Sequence, residues 1–469
     1  MKKELLSSRI FDSRVSEEKI TGREKMFGFF LGPIAVMVMN AILSNYLNVY
    51  YTDVLQISTI WGGAFLSLFP IIAKVLDVIT FIYMGLVVDR TRSRQGKARP
   101  WILFAAPLMF VCMILLFVVP RGNDNLTAIW IFTGYTLFYA VAYTMYSTAH
   151  TLMVPLATRN DAERRSLSTI ANTPAMAAGS LVAILFPCVI VPFLGVSESR
   201  WVTAAIIIAV FSFPLMLFEF FFTRERVQKS DAAPEKRVSL RHQLRCCLKS
   251  RNWVVLMIYL IIINLVNHLF STATFYYCNW VLGSYNDGYT QALFYALGQA
   301  PLGIGVLLCG PITKKLGKRN ALLGGMIVAT LGVTMCLLNP RNLALVLAGQ
   351  VIRTIGLIPS TYMVSSLLGD ALDDVERVSG ERCDGFSSSV FNCIITISGG
   401  IALCAFNFGI SHLGYQAPTP DFIPVQSDVI QNLLIFCVIG VQLIAYPLIG
   451  ILTRFFPKDR TVPSVKKTE

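Results

Sequence analysis

Lys74 and Asp77, three residues apart, and Arg353 interrupt stretches of sequence that are otherwise apolar. On a helix, an i, i+3 spacing puts Lys74 and Asp77 on one face. Ionisable groups in hydrocarbon are costly and turn toward an interior cavity or toward each other. Two chemistries fit the pair: an ion pair that holds helices together, or a transport site in which Asp77 takes up and releases a proton. The planar fork of Arg353 suits a carboxylate or phosphate on a solute, and equally a carbonyl or acid on a neighbouring helix. His150, three residues after Ser147, is of a type that titrates near neutral pH or serves as a structural hydrogen-bonding group. Uncharged polar residues recur at helical spacing: Asn40, Ser44 and Asn48; Asn264, Asn267, Ser271 and Thr274; Ser389, Asn392 and Thr396. In lipid these must turn inward, where they bind one another or the hydroxyls of a solute. Tyr143, Tyr276 and Tyr277 offer rings that stack on a sugar or pack in a core.

The elements that must hold these residues follow from composition. The chain has 469 residues, 55% hydrophobic and only 14% charged, against a usual quarter charged. Its apolar residues fall in runs of roughly 20, long enough to cross a bilayer as helices. Disordered chains, disulfide scaffolds and cytosolic globules are thereby excluded. Twelve spans are expected, at about 27–50, 59–87, 101–119, 127–154, 169–195, 201–222, 253–282, 291–313, 321–338, 343–368, 386–411 and 428–452. With both termini placed inside, only Arg121, Arg200 and Arg341 of the 40 Lys and Arg fall outside; Lys74 and Arg353 lie within spans, and all the others lie inside. Basic residues resist translocation, so this bias sets cytoplasmic termini and an even span count. The net charge of +13 is then a topology device facing anionic headgroups, and nucleic acid is not an expected partner.

The fold class expected is an all-α membrane protein, twelve transmembrane helices in two pseudo-symmetric six-helix bundles. A cytoplasmic tail (1–26) leads into the first bundle (27–222). A basic cytoplasmic loop (223–252) joins it to the second (253–452), and a tail (453–469) follows. Duplication is visible locally: Gly85-Leu-Val-Val-Asp89-Arg90, with Gly96-Lys97-Ala98-Arg99 beyond it, follows span two, and Gly310-Pro-Ile-Thr-Lys314-Lys315-Leu-Gly317-Lys318-Arg319 follows span eight. Parallel repeats of this kind mark secondary transporters. No apolar leader precedes span one. The 11 cysteines form no Cys-x-x-Cys, so neither a metal site nor a disulfide framework is expected. No Walker loop, His-Glu-x-x-His or Gly-x-Ser-x-Gly occurs, and no enzyme activity or cofactor is expected.

Several strings are specific: Tyr50-Tyr51-Thr52-Asp53-Val54; Lys74-Val-Leu-Asp77; Asp89-Arg90-Thr-Arg92-Ser-Arg94-Gln-Gly96-Lys97-Ala-Arg99-Pro100-Trp101; and Gly380-Glu-Arg382-Cys-Asp384-Gly385. Together they resemble the glycoside–pentoside–hexuronide:cation symporters of the major facilitator superfamily, the melibiose-permease type. The resemblance implies a twelve-helix alternating-access carrier coupling a sugar or glycoside to sodium, lithium or a proton. It places Asp89, Arg90 and Arg382 at a cytoplasmic gate, and spans one, seven and eleven along the cavity. The sequence departs from that pattern at several acids. Pro33 and Ile34 follow Gly32 where helix one usually carries Asp. Phe81 and Ile82 stand where helix two carries a second Asp with Pro. Ser147 and Thr151 replace an Asp and a Trp of helix four, and Thr396 replaces a Lys.

A hard cation needs several oxygen ligands with negative charge among them, so the missing acids favour a proton over sodium as coupling ion. Retention of Lys74 and Arg353 favours an anionic solute. The expected function is secondary active symport of a small sugar, glycoside or hexuronide by a multi-pass, monomeric protein of the plasma (inner) membrane. A lysolipid or amphiphile carrier, and a non-transporting membrane sensor that keeps the fold, are the alternatives.

Overall fold

The structure, a computed structural model, describes residues 11–226 apart from 16, 18, 92 and 159, and residues 240–456 apart from 381 and 382. The first six membrane-crossing helices are α1 (Glu24–Val54), α2 (Ile57–Val88), α3 (Arg99–Phe117), α4 (Asp124–Ala157), α5 (Ser166–Leu194) and α6 (Glu198–Phe222). A short helix, α7 (Leu240–Lys249), precedes α8 (Arg251–Leu282). The crossing α9 is a bent pair, Gly288–Gly303 and Leu308–Leu316, which meet at 56°. It carries Pro301 and Pro311, and an interior proline removes an N–H and pushes against the preceding turn. Then come α10 (Lys318–Leu338), α11 (Leu343–Ser379), α12 (Phe386–His412) and α13 (Asp428–Thr453). Among the described residues, eleven helices long and apolar enough to cross a membrane, with the bent pair counted as a twelfth, match the twelve apolar runs. Their exposed side chains include many that are large and apolar, Ile72, Ile79, Ile207 and Ile327 among them, which suits a hydrocarbon solvent.

The chain divides into two compact units, residues 1–235 with 403–430 and residues 236–402 with 431–469. The division falls in the basic central loop, and again inside α12 and at the start of α13. The first unit is cored by aromatic rings. Tyr50 packs 4.9 Å from Phe117 and 5.6 Å from Trp201, and its hydroxyl donates to the Phe117 carbonyl at 2.6 Å. This is how a buried phenol satisfies its polar tip. The second unit is held partly by bare backbone. A Cβ on Gly332 would lie 2.3 Å from the Arg353 nitrogen, and one on Gly356 would lie 2.3 Å from the Ala329 nitrogen. Glycine is what lets α10 and α11 approach this closely.

The central loop contains more order than its polarity suggests. In α7, Arg241, His242, Arg245 and Lys249 are exposed while Cys246 and Cys247 are buried. Burial raises the Cys247 thiol above its usual pKa, which makes it a poor nucleophile for acylation.

Candidate functional site

Within the first unit, the Lys74–Asp77 pair closes as the helical spacing requires. Lys74 Nζ donates to Asp77 Oδ2 at 2.8 Å. The ammonium also lies 4.1 Å from the centre of the Tyr139 ring and 5.4 Å from that of Tyr135, a cation–π cage that replaces part of its hydration. Tyr139 belongs to a π-helical turn, Leu137–Tyr143. Such turns rotate side chains out of the regular α register. The Tyr139 hydroxyl lies 3.5 Å from Ser44 Oγ, which links the polar stripe of α1 to the pair on α2. The second carboxylate oxygen, Asp77 Oδ1, is buried without a hydrogen-bond partner among the described residues. It is therefore an acceptor left unsatisfied in this conformation, the atom of the pair that a proton would take.

A second polar cluster lies where α4 and α6 meet. His150 Nδ1 is 2.6 Å from Glu219 Oε1, and Tyr146 Oη donates to Glu219 Oε2 at 2.5 Å. Glu219 was not singled out in the sequence, although it is an acid inside an apolar run, Phe218-Glu219-Phe220. Nothing in the spacing of residues 69 positions apart could have paired it with His150.

Asp53, in the Tyr51-Thr52-Asp53 string, is fully buried. Its Oδ1 accepts from Thr52 Oγ1 at 2.9 Å and from Tyr415 Oη at 2.9 Å; Tyr415 lies in the 403–430 stretch of the same unit.

The loop between α2 and α3 is organised by an acid from beyond α6. Glu225 accepts from the backbone N–H groups of Lys97, Ala98 and Arg99 at 2.8, 2.8 and 3.0 Å. These are the open amides at the start of α3, a ready anion site. Gly96, at φ +109°, lies directly under that carboxylate, where a Cβ would sit 2.3 Å from Glu225 Cδ. Arg99 reaches back to the Phe220 carbonyl at 2.8 Å, and Trp101 Nε1 donates to Thr91 Oγ1 at 2.9 Å. The Gly-x-x-Arg-Pro-Trp pattern thus builds a fixed loop. Of the residues assigned to a gate, Arg90 is exposed in the last helical turn, just past Val88. Asp89 is in the same last turn, its side chain outside the described set, and Arg382 lies outside the described residues.

In the second unit Arg353 is 2% exposed. Its guanidinium stacks 4.2 Å from the Phe270 ring centre, and Nη1 donates to Tyr446 Oη at 3.3 Å and Gln442 Oε1 at 3.4 Å. Its described partners are thus uncharged groups on α8 and α13. Asn40, Asn48, Ser147 and Thr396 are half-buried, and Asn267 and Asn392 are exposed. Asn264, on the same stripe, donates to the Leu260 carbonyl one turn back at 2.8 Å.

Comparison with known proteins adds a frame to this geometry. The profile of the MFS/sugar transport protein family matches residues 28–460. The isoprimeverose transporter of Lactiplantibacillus pentosus is 26% identical over 447 residues, covering 94% of this chain and 89% of that protein. A glucuronide carrier protein homolog of Escherichia coli (strain K12) is 26% identical over 415 residues, covering 84% of this chain and 86% of that protein. Among solved structures, a bacterial homolog of the human lysosomal transporter Spinster superposes with a TM-score of 0.65 at 14% identity, over 94% of this chain and 98% of that one. At such identity the likeness shows the shared fold.

Proposed function

The chain belongs to the MFS/sugar transport protein family, and from that premise we propose that it is a cation-coupled symporter of a sugar, glycoside or hexuronide. It is a multi-pass integral membrane protein. The bias of basic residues supports cytoplasmic termini in the plasma (inner) membrane. The observation that carries the reading is the end-to-end similarity to a transporter named for isoprimeverose and to a glucuronide carrier homolog. The site chemistry agrees with it. A polyhydroxylated solute needs donors and acceptors set in an otherwise dry bundle, and Lys74, Asp77, Ser44 and Tyr139 supply them. In the second unit, the fixed charge of Arg353 suits a carboxylate-bearing sugar. Asp77, with one oxygen paired and one open, can change its charge state as the site loads. A proton is the coupling ion favoured here, because Lys74 already occupies the side of the carboxylate that a sodium ion would need.

The test is uptake of radiolabelled isoprimeverose and methyl glucuronide into proteoliposomes under imposed proton or sodium gradients. Proton-driven accumulation of at least one, collapsed by a protonophore, is the expected result. Accumulation driven by sodium alone would overturn the coupling assignment, and accumulation of neither solute under either gradient would overturn the substrate class. Asp77→Asn should cut accumulation by about tenfold or more.

A further inference from the structure

The cluster on α4 and α6 counts out one proton. Glu219 is fully buried; its two oxygens face Tyr146 Oη at 2.5 Å and His150 Nδ1 at 2.6 Å. The Tyr146 hydroxyl fills Oε2, so the contact at Oε1 is left to the ring. At 2.6 Å one proton has to lie on the line between Nδ1 and Oε1, held by either atom. Remove it and the contact becomes lone pair against lone pair. A buried contact of that kind is repulsive and costly.

The surroundings leave the cluster to balance its own charge. From α3, Arg99 is turned to the Phe220 carbonyl and to Gln95. At the start of α1, Glu24 is paired with Arg226 at 2.7 Å. Further along α1, Gly32 presents bare backbone to Glu219, where a Cβ would lie 2.6 Å from that of the glutamate. From α2, Lys74 and Asp77 pair with each other, and on α4 itself the next ionisable group is Tyr143, beside Tyr146.

We propose that Tyr146, His150 and Glu219 form a proton station whose single mobile proton, on the line between His150 Nδ1 and Glu219 Oε1, fastens α4 to α6 and whose release frees that contact during transport. On release the bond to that proton breaks, its electron pair stays on the atom that held it and the proton passes to water; the cluster becomes one charge more negative, and loading reverses the step. Both carboxylate oxygens are filled by hydrogen donors, so the station suits a proton and not a metal ion. The proposal rests on the symport reading and gives its coupling ion a place.

The experiment compares Glu219→Gln and His150→Gln with the intact chain in isoprimeverose-loaded and empty proteoliposomes. Proton-driven accumulation should fall about tenfold or more, while solute exchange at equal pH, which moves no net proton, stays within about twofold. Unchanged accumulation in both variants, or equal loss of accumulation and exchange, overturns the station. Tyr146→Phe keeps the ring and removes one donor to the carboxylate; it should retain uptake with its pH midpoint moved upward, and an unmoved midpoint counts against the proposal. A solute-free arm separates this idea from the symport reading. Infrared pH-difference spectra of the purified protein, between about pH 5 and 9, should show a histidine band that is absent from His150→Gln and altered in Glu219→Gln. Spectra identical to wild type in both variants overturn the station even where transport is intact. The bands with no uptake of isoprimeverose would sink the choice of solute and leave the station standing.

Discussion

The two units bury ionisable groups in different proportions. The first buries Glu24, Asp53, Asp77 and Glu219, and each acid meets a donor: Arg226, Thr52 with Tyr415, Lys74, and Tyr146 with His150; it also buries Arg99 against the Phe220 ring and carbonyl. The second buries Arg353 among an aromatic ring and neutral oxygens. Its buried acid, Asp374, lies near the end of α11 against Ser250 and Arg377. A carboxylate changes charge by taking a proton; a guanidinium does not. Chemistry that follows pH is thus concentrated in the first unit, and the second presents a fixed positive charge. Close backbone approach is common to both units, at Gly28 and Gly32 of α1 against α6 in the first and between α10 and α11 in the second; the first adds polar pairs at depth.

The contrast can be broken at several points. Gly332→Leu should have the largest effect. Its side chain must enter a gap already closed by the Arg353 backbone, at 2.3 Å from the first added carbon. A loss of about 3 kcal/mol or more is expected, read as a collapsed size-exclusion profile; a monodisperse, normally melting variant would show that backbone approach does not hold this unit. Glu225→Ala comes next. It leaves three amides at the start of α3 without their acceptor, at a cost of about 2 kcal/mol. Thermal melts in detergent check this, and Glu225→Gln should recover part of the loss.

Arg353→Met sharpens the comparison in another way. An apolar side chain of similar volume in place of a buried charge changes stability by less than about 1 kcal/mol. Uptake of a glucuronide should nevertheless fall about tenfold, while uptake of a neutral disaccharide persists. Equal loss of both solutes would mean that the fixed charge does not read the solute's charge. The smallest effect is expected for Lys318→Ala. It breaks a largely exposed pair with Asp370 at 2.6 Å, worth less than about 1 kcal/mol, and a larger drop in melting temperature would give the second unit a polar clasp of its own.

Much of this was legible in the residues because membrane chemistry is local. An apolar run of the right length becomes a crossing helix whatever its neighbours do, so twelve runs read as twelve crossings. An i, i+3 spacing brings Lys74 to Asp77 through the helix alone. The Gly96 to Trp101 string could be recognised, but its purpose could not. The acid it cradles, Glu225, comes from beyond α6, and no spacing rule connects them. Arg353 was left between a solute anion and a neighbouring helix; its ring and oxygen partners lie on α8 and α13, far apart in the chain. Glu219 escaped notice because a single acid near the end of an apolar helix has the same local pattern whether it meets solvent or a histidine.

The amino-acid sequence by itself determined where the chain crosses the membrane, the basic asymmetry of its loops and the charged pair within α2, since each depends on transfer out of water or on one helical turn. Tertiary structure alone decided which distant side chains share a proton or a carboxylate. Those pairings depend on how helices rotate and pack against one another, and helical periodicity says which face is polar but not which face of which other helix it will meet.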